Sequence, residues 1–65
     1  MDRVLTRWEL MRFTREHLRL LLEEIAATLA TLPEGSLDRR IALINLRDVE
    51  RELARRDMTS TIWRR

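Results

Sequence analysis

Apolar residues in the first half of the chain recur with a helical period. Val4, Met11, Leu18, Ile25 and Leu32 fall seven residues apart, Trp8, Leu22 and Leu29 lie four further on, and Leu21 flanks them. Spacings of three and four place such residues on one helix face. No Pro or Gly interrupts the run from Asp2 to Thr31, so the pattern predicts one helix over about 2–31 with Asp2 as N-cap. Leu32-Pro33-Glu34-Gly35-Ser36 is the one strong interruption. Pro33 has no N–H to continue a helix, Gly35 tolerates positive φ, and Ser36 can cap the next helix, so a tight turn is expected over 32–36. A second helix is predicted over about 36–57, with Asp38 suiting its positive end and Arg55 and Arg56 its negative end. Residues 58–65, rich in Thr, Ser and Arg, read as a basic tail.

Folding the chain back at Glu34 predicts an all-α, antiparallel two-helix hairpin. Ile41 then faces Ala27, Ile44 faces Glu24 and Ile25, Leu46 faces Leu22, Val49 lies near Leu18, and Leu53 falls near Arg15. At ~1.5 Å per residue the first helix would be about 45 Å long and the second about 32 Å. The overhang would carry Val4, Leu5 and Trp8, and the only material in the chain able to cover it is the tail with Ile62 and Trp63. Trp63 is therefore expected to pack near Trp8, in the same chain or across a dimer.

Both helices carry a second apolar line: Phe13, Leu20 and Ala27 in the first, and two flanking rows in the second, Leu37, Ile41 and Ile44 against Ala42, Leu46, Val49 and Leu53. A hairpin buries one seam, and leaving three or four Leu or Ile side chains in water costs about 1.5–3 kcal/mol each. A symmetric homodimer forming a coiled-coil-like four-helix bundle would cover both lines. Its expected core is Val4, Trp8, Met11, Leu18, Leu22, Ile25, Leu29, Ile41, Ile44, Leu46, Val49 and Leu53. Asn45, polar in this apolar belt, either fixes register or marks its boundary.

Composition narrows the function classes. The chain has 65 residues, no Cys and one His, with 13 Arg against 11 acids for a formal charge of +2. A domain this small buries only roughly 60% of the surface its unfolded form exposes, which favours self-association or a partner. Without Cys there is neither a disulfide framework nor a thiolate zinc site. No secretory leader or membrane-length apolar run is evident, so a cytoplasmic location without membrane contact is expected. His17 lacks partner ligands, and no nucleophile–base set or phosphate loop is present. The chain is expected to be no enzyme and to need no cofactor or metal. Glu9, Glu16 and Glu23 beside Arg12 and Arg19 form i,i+3 and i,i+4 pairs typical of a solvated face.

Two surfaces remain for function. Phe13, Leu20 and Trp63, with Trp8, are candidates for contact with a protein partner. Residues 36–65 hold eight Arg against five acids, and Arg55, Arg56, Arg64 and Arg65 around Trp63 are candidates for RNA or DNA, where basic and aromatic side chains meet phosphates and bases. In layout the chain resembles the Rop family of dimeric helical hairpins. Arg12-Phe13-Thr14-Arg15, Leu21-Leu22-Glu23, the mid-chain turn and Leu53-Ala54-Arg55 carry the resemblance. It implies a four-helix-bundle dimer that binds paired RNA loops through an exposed aromatic of the first helix, which Phe13 matches. Asp2 and Glu24 stand where that family has Lys, and Glu9 and His17 where it has amides. The expected function is that of a small homo-oligomeric adaptor or regulatory protein acting through protein–protein interaction. The alternatives are an RNA-binding, Rop-like regulator and a structural subunit of a larger assembly.

Overall fold

A computed structural model describes the backbone of residues 3–63 and the side chains of residues 3–58. The described residues are all-helical, in three helices rather than two: α1 (Arg7–Arg12), α2 (Arg15–Leu29) and α3 (Leu37–Trp63). The single helix expected over 2–31 is therefore corrected to an extended lead, a short helix, a break and a longer helix.

Two Thr residues decide this. Thr6 accepts a hydrogen bond from Glu9 N–H at 3.2 Å while the Glu9 carboxylate accepts from Thr6 N–H at 3.0 Å, a reciprocal capping box that starts α1. Thr14 adopts an extended backbone and its hydroxyl accepts from His17 N–H at 3.1 Å, which starts α2. A side chain that satisfies an otherwise orphaned N–H competes with continuation of the preceding helix. At Phe13-Thr14 the cap prevails.

The break reverses the chain. Arg3 and Leu5 lie against Asn45, and Leu10 and Met11 against Arg56, so the arm formed by residues 3–12 runs parallel to α3. α2 runs antiparallel to it, with Arg15 on Asp57 at one end and the Leu29 carbonyl on Arg39 at the other. The expected overhang of Val4, Leu5 and Trp8 is thereby replaced by an arm folded back along α3. Trp63 ends a helix that continues past residue 57; its side chain, and hence the expected Trp8–Trp63 packing, lies outside the described residues, as do Arg64 and Arg65.

Between α2 and α3 the turn forms where Pro33 and Gly35 predict it. Gly35 takes φ +80°, a conformation L side chains adopt at a cost. Ser36 caps α3 by accepting from Arg39 N–H at 3.1 Å.

Leu10, Leu18, Ile25, Ala42 and Val49 form the buried core, with Leu5, Phe13, Leu21, Leu22, Leu29, Leu32, Leu46 and Leu53 packed against it. From Leu18 onward the predicted stripe of α2 faces inward. Before the break its phase is lost: Leu10 is buried, while Val4, Trp8 and Met11 are exposed. On α3 the buried line is Ala42, Asn45, Val49, Glu52 and Arg56, four of them buried and Arg56 partly so. It takes Ala42 and Val49 from one of the two apolar rows seen in the sequence, while Ile41, Ile44, Leu46 and Leu53 are half-buried.

Candidate binding surfaces

The polar members of the α3 seam hold the arm. Asn45 is fully buried; its Oδ1 accepts from Leu5 N–H at 2.8 Å and its Nδ2 donates to the Arg3 carbonyl at 3.0 Å. The side chain thus pairs with the extended lead much as a neighbouring strand would, satisfying backbone groups that no helix serves. Two helical turns further on, Glu52 is a buried carboxylate that accepts from Arg55 Nε at 3.0 Å, Arg55 Nη2 at 2.7 Å and Arg56 Nε at 2.8 Å. These guanidinium contacts, Arg55 foremost, outweigh desolvation and hold its pKa at about 2. The same pairing raises that of Arg55 above its ordinary value. Arg56 in turn donates through Nη2 to the Leu10 carbonyl at 3.1 Å and the Met11 carbonyl at 3.4 Å. It closes the C-terminal end of α1, where free carbonyls and the helix dipole favour a cation. Arg39 does the same for α2, donating to the Leu29 carbonyl at 2.9 Å.

At the arm's other end Arg3 forms a two-pronged ion pair with Glu9, through Nη1 to Oε1 at 2.8 Å and Nη2 to Oε2. That pair and the Thr6 N–H lower the Glu9 pKa to about 2. A six-residue helix is too short to persist alone. Here the capping box, the Arg3 pair, the Asn45 clasp and the Arg56 cap fix it. Beside the exposed Arg7 and Arg12 it presents an apolar pair: Trp8 is 77% exposed, and Met11, three residues on and therefore adjacent on the helix surface, is 48% exposed. Val4, on the lead, is exposed as well.

No family model, curated protein or solved structure matches this chain. The chemistry of the surface is therefore what bears on function.

The other sequence candidates are distributed around the molecule. Phe13 is half-buried, packs against the core and stacks on the His17 ring with centroids 4.4 Å apart. Leu20 is exposed on the side of α2 away from Leu18 and Ile25. Arg55 and Arg56 come together on Glu52 instead of presenting a bare cationic pair. Between α1 and α3, Arg7, Leu10, Asp48, Arg51, Glu52 and Arg55 line a cleft of about 380 Å³. Among the described residues no three His, Asp or Glu side chains converge as metal ligands, and no helix is long and apolar enough to cross a membrane.

Sequence reasoning missed the structural roles of Thr6, Glu9, Glu52 and Arg56. Thr6-Arg7-Trp8-Glu9 has the spacing of a capping box and was a readable start signal. Arg56 had no such signal, because the carbonyls it serves lie 45 and 46 residues away.

Proposed function

We propose that this chain is a small non-enzymatic binding protein that self-associates and serves as an adaptor for another polypeptide. The observation that carries this reading is Trp8, held in water on a helix that four separate contacts immobilise. Trp is the residue most often found at the energetic centre of protein interfaces, and a fixed presenting element lowers the ordering cost of association. Trp8 and Met11 of two copies can pack against each other across a two-fold axis. In such a dimer the α2–α3 hairpins of two copies supply the four long helices of a bundle, with the arms at the contact.

The nucleic-acid alternative draws on Arg55, Arg56, Arg64 and Arg65. Of these, Arg56 spends its donors on Glu52 and the α1 carbonyls, and Arg55 lies on Glu52. Both would have to leave those partners to meet phosphates, which weighs against this route.

The test is solution mass by light scattering over a concentration series, for the wild type and Trp8→Ala. The expected result is a wild-type dimer and a variant whose dissociation constant rises at least tenfold with unchanged helicity. A wild type monomeric at every concentration, or a variant that dimerises equally well, would overturn the reading.

A further inference from the structure

Beyond the arm, the solvent side of α3 has an organisation of its own. Arg40, Ile44, Arg47, Arg51, Ala54 and Met58 follow one another at spacings of four, three, four, three and four residues, which aligns them along one helix face over about 27 Å. This line lies across the helix from the buried seam of Ala42, Asn45, Val49, Glu52 and Arg56. All its members are exposed except Ile44, which is half-buried. Leu43 and Leu37, both exposed, lie on its two sides, and around Ile44 a shallow groove of about 420 Å³ is lined by Arg40, Leu43, Ile44, Leu46, Arg47 and Glu50.

The charge on this face is unbalanced. Among the described residues Arg40, Arg47 and Arg51 take part in no ion pair. Of the five acids of α3, Glu52 is buried in the seam and Asp57 pairs with Arg15, Asp38 lies exposed in the first turn, Asp48 is half-buried in the cleft beside α1 that Arg51 also lines, and Glu50 alone lines the groove with Arg40 and Arg47. The result is a helical line of three cations and three apolar or small side chains, with no carboxylate on the line itself.

Each class of occupant meets this pattern differently. Against a second α3, a parallel pairing sets Arg40, Arg47 and Arg51 opposite themselves, and an antiparallel one centred on the line sets Arg47 opposite Arg51 twice; like charges in contact are costly. A lipid surface is met by apolar side chains at the centre of a face and cations at its margins, whereas here the arginines occupy the centre. A nucleic acid would answer the arginines but leave Leu37, Leu43, Ile44 and Met58 with nothing apolar to meet, and the line holds no aromatic for stacking. A helix with carboxylates at the same spacing and apolar residues between them answers both halves of the pattern, by Arg–carboxylate hydrogen bonds and by burial.

We propose that this outer face of α3 is the docking surface for an acidic amphipathic helix of another protein. The proposal names the partner of the adaptor function above and rests on the chain being a binding protein; it uses a face distinct from Trp8.

The test is fluorescence anisotropy with the full chain and three probes: a labelled helical peptide built of Leu and Glu heptads, the same peptide with Gln for Glu, and a single-stranded RNA of equal charge. Flotation with phosphatidylglycerol vesicles covers the lipid case. The acidic peptide is expected to bind, to weaken as salt rises, and to lose on the order of tenfold in affinity to the double variant Arg47→Glu and Arg51→Glu. Both positions are exposed, and circular dichroism verifies that the variant keeps its helicity. A Lys version of the peptide should bind the variant better than the wild type. Trp8→Ala should leave peptide binding unchanged while altering dimerisation, which separates failure of this proposal from failure of self-association. Equal binding of the Glu and Gln peptides, or tighter binding to RNA or vesicles than to the acidic peptide, would overturn it.

Discussion

Replacing Asn45 by Ala should release the arm while leaving the α2–α3 hairpin folded. In the wild type the Asn45 amide serves Leu5 N–H and the Arg3 carbonyl at 2.8 and 3.0 Å and is itself fully buried. Each such bond contributes about 1 kcal/mol net, and truncation also leaves a small void in the seam. The expected loss is about 2–3 kcal/mol, localised to docking of the arm because Arg3 and Leu5 lie in it. Local opening is read by amide hydrogen exchange. Protection of the α1 amides should fall by about 30- to 150-fold, the factor equivalent to that free energy, with α2 and the turn-proximal half of α3 nearly unchanged. Asn45→Asp provides a second perturbation: it keeps an acceptor for Leu5 N–H but sets a carboxylate against the Arg3 carbonyl, so it should loosen the arm as well. Equal loss of protection in all three helices would show Asn45 to be a general core residue, and unchanged α1 exchange would refute the clasp altogether.

Further expectations concern the carboxylates and the helix cap. Glu9 and Glu52 titrate at about 2 in the folded chain against an ordinary 4.5. Their contribution to stability is therefore fully present above about pH 4.5 and is lost as pH falls towards 2. Thermal midpoints measured from about pH 6 down to 2 should decline over that window, and the Glu9→Gln, Glu52→Gln double variant should show a shallower decline; parallel curves would contradict the assignment. Arg56→Met keeps the apolar stem but uncaps the Leu10 and Met11 carbonyls and removes one partner of Glu52. It should lower stability by about 1.5–3 kcal/mol, seen as a reduced urea midpoint.

The hairpin of α2 and α3 was legible because its signals are local. Leu18, Leu22, Ile25 and Leu29 keep strict helical phase, and Pro33, Gly35 and Ser36 each demand the turn they form. What escaped was decided by competition or by distance. Met11 and Val4 share the phase of Leu18 across a stretch without Pro or Gly, and only the cap at Thr14 breaks it. That cap interrupts the helix, brings Leu10 inward and leaves Met11 and Trp8 in water. On α3, reading the two apolar rows as the faces hid a seam that takes only Ala42 and Val49 from them. Its residues Asn45, Glu52 and Arg56 are polar because they meet backbone and one another rather than apolar side chains. Of the candidate surface residues, Leu20 was recognisable as an apolar position off the main stripe, whereas Trp8 lies on that stripe and is expected in the core. Phe13 packs half-buried against the core, and Arg55 and Arg56 converge on the buried Glu52 carboxylate. The unpaired arginines along the outside of α3 acquire meaning only once the inner line is known.

The parallel course of the arm along α3 also orders the assembly of the molecule in time. Arg39 finds the Leu29 carbonyl ten residues away, whereas the Asn45 and Arg56 contacts with the arm bridge 40 to 46 residues. Short loops close at lower entropic cost than long ones, so the turn is expected to nucleate, α2 and α3 to zip away from it, and the arm to settle last on a surface already formed. Substitutions in the arm should then accelerate unfolding and leave the refolding rate nearly untouched.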